Sequence, residues 1–204
     1  MNPDREWWLR VPAVLLSPRS VFVALRNEER EDIEARSEPV LALTLLAGVA
    51  VALGTSTARK LYDDPLYDPL ALALWAVIAG GFVAFAGYFI VGAALYLGAR
   101  GLGGEGTFRR ARQVIGFAVA PLALSTILLW PLGLAIFGTD LFKRGGSDDG
   151  AAGDVFYGLV LGFSLWSIAL FLLGVRTVHG WSWWRSIAAL GLVALFLAAF
   201  SIVF

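Results

Sequence analysis

The chain has 204 residues, of which 58% are hydrophobic and 16% are charged, and its mean hydropathy is +0.74. This composition excludes a water-soluble domain built around one buried core. Its sixteen basic and sixteen acidic residues balance, so no net positive field attracts nucleic acid. The chain has no cysteine, which excludes disulfides and thiolate catalysis. We therefore expect an integral membrane protein that does not bind nucleic acid.

Residues 1–38 precede the first long apolar stretch. Ser17 and Pro18 stand in the usual order of a helix N-cap and the first helical residue. The helix that follows carries an apolar stripe of Val21, Phe22 and Leu25. Arginines flank this stripe, so we expect an amphipathic, interfacial helix against an anionic cytoplasmic leaflet. The acidic run over residues 28–38 predicts a solvated connector.

Five stretches without Asp, Glu, Lys, Arg or His follow this segment. They cover residues 39–58, 70–98, 114–137, 155–175 and 187–204. A hydrocarbon core about 30 Å thick needs roughly 20 helical residues to cross it. The pattern predicts an all-α polytopic membrane protein, in which residues 39–204 form a bundle of five transmembrane helices.

Lysine and arginine are shared unevenly between the two sides that five crossings define. One side holds six before the first stretch, four in residues 99–113 and two in residues 176–186. The other side holds the remaining four. The positive-inside rule therefore predicts a cytoplasmic N-terminus and an extracytoplasmic C-terminus. We expect a multi-pass protein of the cell membrane.

Glycine and proline predict where the spans bend or pack. Gly80 and Gly81 are the expected flexible point of the second span, or else a place of close helix packing. Pro121 and Pro131 each remove a backbone donor from the third span, which predicts kinks. Small residues four apart favour contacts between helices. These pairs are Gly48 with Ala52, Gly116 with Ala120, and Gly158 with Gly162.

Two patterns lie in the loop after the second span. Residues 101–106 read GLGGEG, the GxGxxG pattern of dinucleotide-binding proteins. That fingerprint needs a strand before it, whereas a transmembrane helix precedes it here, so we interpret it as a turn and expect no cofactor. Arg109, Arg110 and Arg112 form the densest basic cluster. They are candidate lipid-headgroup contacts, or determinants of topology alone.

The remaining polar groups predict neither catalysis nor a metal site. His179 is the single histidine, and no nucleophile or metal-ligand pattern accompanies it, so we expect it to pack or to form hydrogen bonds. Aspartates between the first two spans and between the third and fourth could bind a divalent cation. Because residues 145–153 are too loose and polar to preorganise a site, we expect no metal. We therefore expect no catalytic residue.

Four motifs, taken in order, resemble the Ypt-interacting-protein (Yip) family of five-span membrane proteins. They are SPRSVF at residues 17–22, GGEGTFR at 103–109, GFAVAP at 116–121 and GVRTVHGWS at 174–182. They extend over nearly the whole chain, which looks like a bacterial member. The resemblance implies a cytoplasmic N-terminus, five helices and no known enzymatic activity.

The resemblance also bears on partners. Eukaryotic relatives act in vesicle traffic, bind small Rab-type GTPases and self-associate. Their Asp-Leu-Tyr-Gly-Pro signature is missing ahead of the first span, so we expect no small-GTPase partner. We expect a non-catalytic membrane protein that organises or binds other membrane components: lipids, membrane proteins or a second copy. The alternative, suggested by Pro121, Pro131 and the glycine-rich second span, is a permeation or transport component for a neutral or apolar solute.

Overall fold

The computed structural model describes residues 3–27 and 38–203, and in these ranges every regular element is helical. The α-helices are α1 (Pro3–Leu16), α2 (Pro18–Asn27), α3 (Glu38–Leu53), α4 (Pro69–Ala86), α5 (Gly92–Gly101), α6 (Phe108–Ala118), α7 (Ala120–Phe137), α8 (Ala151–His179) and α9 (Trp183–Val203). A π-turn, Gly87–Val91, joins α4 to α5. Short 3₁₀ helices, Ala58–Asp63 and Gly138–Phe142, follow α3 and α7. The connector predicted over residues 28–38 lies outside the described residues except for Glu38.

Three helical segments are long and apolar enough to cross a membrane. They are Pro69–Gly101, Phe108–Phe142 and Ala151–His179, of 33, 35 and 29 residues. Two shorter apolar helices accompany them, Glu38–Leu53 and Trp183–Ala199. The prediction of an all-helical protein with membrane-spanning apolar segments is confirmed at this level.

The first apolar helix is shorter than the stretch that predicted it. The sequence pattern continues to Ala58, whereas α3 ends at Leu53. The hydroxyl of Thr55 donates to the carbonyl of Ala52 at 2.7 Å and accepts from the N–H of Ala58 at 3.2 Å. These bonds satisfy backbone groups that a longer helix would have used, so the chain turns here.

Close backbone approach holds α3 against its neighbours. A Cβ on Gly48 would overlap the carbonyl oxygen of Gly80, and one on Gly80 would lie 2.7 Å from the Cα of Val49. Gly116 on α6 likewise lies directly against Val40 of α3. Such contacts gain dispersion energy, which is what holds helices together when lipid surrounds them. Gly80 therefore serves close packing, the second of the two interpretations that its sequence allowed.

The irregular part of the second span is the π-turn, Gly87–Val91. α4 continues without a break through Gly80 and Gly81, and a bend at that pair stays a prediction. A Cβ on Gly81 would meet nothing within 4 Å. The π-turn instead buries Tyr88, which is 5% exposed, at the junction between α4 and α5.

The two prolines of the third span behave differently. The helix breaks at Val119, between α6 and α7, just before Pro121. The ring of Pro121 has no N–H to bond the carbonyl of Phe117, which accounts for the break. Pro131, by contrast, lies within α7, and that helix continues through it.

Gly158 and Gly162 lie on the outer surface of α8. A Cβ on either residue would meet nothing within 4 Å. Their neighbours Leu159 and Leu161 are 48% and 58% exposed. Within the described part of the chain, therefore, no helix packs onto this glycine pair.

α2 begins at Pro18, as the Ser-Pro step predicts, but its apolar stripe faces protein. Val21, Phe22 and Leu25 are all buried, and Phe22 is 0% exposed. A Cβ on Gly174 of α8 would lie 2.9 Å from the Phe22 ring, so the ring fills the space above that glycine. The expectation that this stripe rests on lipid is therefore corrected: it packs against α8.

The loops lie at two ends of the bundle. One end, which we call the N-terminal face, carries α2, residues 102–107 and residues 180–182. The other end carries the two 3₁₀ helices, which contact each other. There Arg144 donates to Asp63 at 2.8 Å, and Tyr157 donates to the buried carboxylate of Asp148 at 2.9 Å. Two of the aspartates weighed as cation ligands thus have donors within the chain.

Alanine at two adjacent glycines gives the first test. Gly80→Ala places a methyl group against Val49, so we expect the free energy of unfolding to fall by about 1–3 kcal/mol. Gly81→Ala meets open space and raises helix propensity by up to about 1 kcal/mol, so stability should hold or rise. Thermal unfolding in detergent micelles measures both. Equal effects at the two positions would contradict the packing at Gly80.

Candidate functional site: a junction of two loops

The candidate site lies on the N-terminal face, where two of the four motifs meet. Residues 102–107, between α5 and α6, contact residues 177–182, at the turn from α8 to α9. We call this contact the loop junction. α6 begins beside it, and the hydroxyl of Thr107 accepts from the N–H of Arg110 at 3.2 Å, which caps the first turn.

Both loops begin with the same backbone motif. Gly103 and Gly180 have φ angles of +73° and +64°, a left-handed conformation that favours glycine. The N–H groups of Gly104 and Trp181 then donate to the carbonyls five residues earlier, at 2.8 and 3.0 Å. These are the long hydrogen bonds of the Schellman motif, which ends a helix with a sharp turn. Local sequence therefore sets the direction in which each loop leaves its helix.

Trp181 closes the junction by packing over Gly104. The indole is 8% exposed. A Cβ on Gly104 would lie 2.6 Å from Cζ2 of Trp181 and 2.9 Å from the carbonyl oxygen of Ala99, so only glycine fits there. A second tie is the hydrogen bond from Arg185 Nη2 to the carbonyl of Leu102, at 3.2 Å. Together these contacts fix the α8–α9 turn against the α5–α6 loop.

His179 stacks on the same indole. Its ring lies 4.5 Å from the Trp181 ring, centroid to centroid, at an interplanar angle of 24°. A Cβ on Gly106 would lie 3.5 Å from Cε1 of His179, so the imidazole also borders the first loop. The packing role predicted for His179 is confirmed by this stack.

The space left between the loops is too small for a ligand. The cavity lined by Tyr96, Thr107, Arg110 and His179, among others, has a volume of about 10 Å³. One water molecule needs about that much, whereas sites for drug-sized ligands begin at roughly 300 Å³. The junction is filled by its own side chains. The pattern at residues 101–106 forms the predicted turn, in which Gly101 ends α5 and residues 102–106 lead to α6.

The three arginines proposed as headgroup contacts have different surroundings. The guanidinium carbon of Arg112 lies over three rings: Tyr88 at 5.0 Å, Phe89 at 4.9 Å and Phe108 at 4.7 Å. Its charge is therefore stabilised by ring faces within the bundle. Arg109 and Arg110 are half-buried, and Arg110 lines the small cavity. Headgroup contact stays a prediction for all three arginines. The three rings around the Arg112 guanidinium, which we call the ring cage, give Arg112 a packing role as well.

This ring cage could not be found from the sequence. Tyr88 and Phe89 belong to the π-turn, and both rings lie against Arg112 of α6. A regular helix through these residues would have faced them elsewhere, and no residue pattern marks a π-turn. The loop junction had a partial signal, because both of its loops carry glycine just after an apolar helix.

A family model described as Yip1 domain matches residues 13–204, which include both loops of the junction. No curated protein and no solved structure matches the chain.

Alanine at Gly104 tests the junction. Gly104→Ala pushes a methyl group into the indole of Trp181, so we expect the free energy of unfolding to fall by about 1–3 kcal/mol. Trypsin should also cleave faster at Arg100 and Arg109, which flank the loop. Gly101→Ala is the matched control, because a Cβ there meets nothing within 4 Å. Unchanged stability and cleavage in Gly104→Ala, or equal changes in Gly101→Ala, would contradict this account of the junction.

Proposed function

The chain belongs to the Yip1 domain family, and on that basis we propose that it is a non-catalytic membrane protein that organises or binds other membrane components. Its partners in this proposal are lipids and the helices of other membrane proteins, a second copy included. The proposal assigns no small-GTPase partner and no cofactor to the chain.

The protein-binding part of this proposal rests on one observation: no other helix of the described chain covers Gly158 and Gly162. Elsewhere in the chain glycine allows tight helix packing, since a neighbouring helix occupies the space beside Gly48, Gly80 and Gly116. The pair on α8 has the same spacing of small residues, with open space above each glycine. Because small residues four apart let transmembrane helices approach closely, this face suits a helix from another chain.

Permeation of a neutral solute is the competing hypothesis, and the hydroxyl groups bear on it. Thr44, Ser125 and Ser164 each donate to a carbonyl of their own helix, at 2.7–3.0 Å. Thr126 of α7 donates at 2.7 Å to the carbonyl of Leu46 on α3. These hydroxyls are satisfied by backbone carbonyls, three within their own helix and one across to α3, rather than left free to line a polar path. This favours the binding role.

The proposed topology is five crossings of the cell membrane with a cytoplasmic N-terminus. Because the chain has no cysteine, single introduced thiols report on each side. Lys60 and Glu105 are exposed at opposite ends of the bundle. We expect a membrane-impermeant maleimide to label Lys60→Cys in intact cells, and Glu105→Cys only after permeabilisation. Labelling of both thiols in intact cells would contradict this topology.

Photo-crosslinking in native membranes tests the partner face. A photoreactive amino acid at Leu161, 58% exposed beside the glycine pair, should crosslink to a discrete protein that mass spectrometry identifies. The double variant Gly158→Leu, Gly162→Leu should abolish this adduct, because bulky side chains prevent close approach of a partner helix. The fold should survive, since both leucines project into open space.

Leu74 on α4, 55% exposed, is the matched position for the same photoreactive group. We expect it to crosslink mainly to lipid. The protein-binding role would be overturned by adducts at Leu161 that match those at Leu74, or by adducts that persist with both leucines present.

A further inference from the structure

We propose that a cleft between α2 and the end of α8 binds the phosphate group of an anionic phospholipid. We call it the arginine cleft, and its volume is about 180 Å³. It is lined by Arg19, Val23, Arg26, Arg176, Thr177, Gly180 and Trp181. Arg19 and Arg26 are the arginines that flank the apolar stripe of α2, whereas Arg109, Arg110 and Arg112 lie outside this cleft. The site does not depend on the proposed partner face of α8.

The charge of the cleft favours an anion. Among the described residues, three guanidinium groups and no carboxylate line it. Arg19 and Arg26 are exposed, whereas Arg176 is half-buried and its Nε is buried without a hydrogen-bond partner in the described chain. Like charges gathered in this way repel each other, and an anion between them removes that repulsion. Guanidinium groups offer paired N–H donors that match the oxygens of a phosphate.

Packing holds two of the arginines in place before any ligand binds. The guanidinium carbon of Arg176 lies 4.4 Å from the centre of the Trp183 ring. The guanidinium of Arg26 lies against Gly180, where a Cβ would come within 3.2 Å of Nη1. Gly180 therefore provides both the turn that ends α8 and the space that Arg26 occupies. Donors held in position lose less conformational entropy on binding, which strengthens the site.

The C-terminus of α8 explains part of the clustering of arginines in the cleft. A helix C-terminus carries a partial negative charge, which attracts arginine side chains. That partial charge is smaller than the charge of one guanidinium, and three guanidinium groups line the cleft. The helix end alone therefore does not balance the three guanidinium groups, and among the described residues that line the cleft there is no carboxylate to do so.

The surroundings of the cleft favour a lipid over free phosphate. Trp183, which stacks on Arg176, is 49% exposed, and the adjacent Trp184 is 80% exposed. Exposed indoles are typical of the headgroup boundary of a membrane. The volume of about 180 Å³ is below the roughly 300 Å³ at which sites for drug-sized ligands begin. It suits a headgroup whose acyl chains stay in the bilayer.

Lipid binding by the purified full-length protein in neutral detergent tests this site. Native mass spectrometry measures the binding of phosphatidylglycerol, with zwitterionic phosphatidylcholine and inorganic phosphate as comparison ligands. We expect phosphatidylglycerol to bind most tightly, and Arg26→Gln to weaken it by about tenfold through loss of one charge-assisted hydrogen bond. Arg26→Lys should recover part of the affinity, because it keeps the charge and loses the planar pair of donors.

Arg100→Gln is the matched control. It removes one exposed positive charge from the same face, where Arg100 donates to Tyr96 instead of lining the cleft. We expect this variant to bind phosphatidylglycerol as the unmodified protein does. Equal losses in Arg100→Gln and Arg26→Gln would show attraction by overall charge only and would overturn the site. Inorganic phosphate that binds as tightly as phosphatidylglycerol would overturn the lipid assignment.

Two further measurements distinguish lipid binding by Arg26 from a purely structural role of this residue. If Arg26→Gln lowers the unfolding temperature equally with and without phosphatidylglycerol, the arginine serves another part of the chain and the proposal is wrong. Phosphatidylglycerol with a photoreactive headgroup, used on the unmodified protein, should give adducts within residues 19–27 or 176–184. Adducts confined to other regions would also overturn the site. Crosslinking at Leu161 reports on the partner face separately, so failure of either proposal is distinguishable from failure of the other.

Discussion

Close approach of backbones around α3 is the contact on which the rest of the bundle depends. In lipid, apolar helices gain little from burying one another, so association rests on dispersion and on small residues that allow short distances. α3 has 16 residues and packs against α4, α6 and α7. Its contacts at Gly48 and Val40 place the helices that lead into and out of the α5–α6 loop. The loop junction is thereby positioned from inside the bundle.

Features that depend on neighbours in the chain could be predicted from the sequence. The uncharged stretches, the start of α2 at Pro18 and the break before Pro121 all belong to this class. What lies against the apolar face of α2 could not be predicted. An amphipathic pattern shows that one face is apolar, but it does not show whether lipid or protein contacts that face. Phe22 faces protein because Gly174, distant in sequence, leaves room for its ring.

The candidate site likewise has features that the sequence predicts and features that it does not. Glycines just after α5 and α8 predict turns, since each helix end needs a left-handed residue. The pairing of the turns is tertiary: Trp181 reaches Gly104, and no pattern in either motif indicates that they touch. One short turn then serves two surfaces. Trp181 covers the α5–α6 loop, while the adjacent Gly180 receives the guanidinium of Arg26. This accounts physically for glycine followed by tryptophan in the last motif.

The π-turn at Gly87–Val91 has a consequence for chain length. One residue added to a helical turn rotates everything after it by about 100°. Before the turn α4 packs against α3, and after it α5 packs against α6 and α9. Deleting a single residue here would restore a regular helix and swing Gly92 and Leu95 away from their neighbours. The packing of this segment thus depends on how many residues it contains as well as on which residues they are. Natural variants should conserve the spacing between Gly80 and Gly92 even where side chains differ.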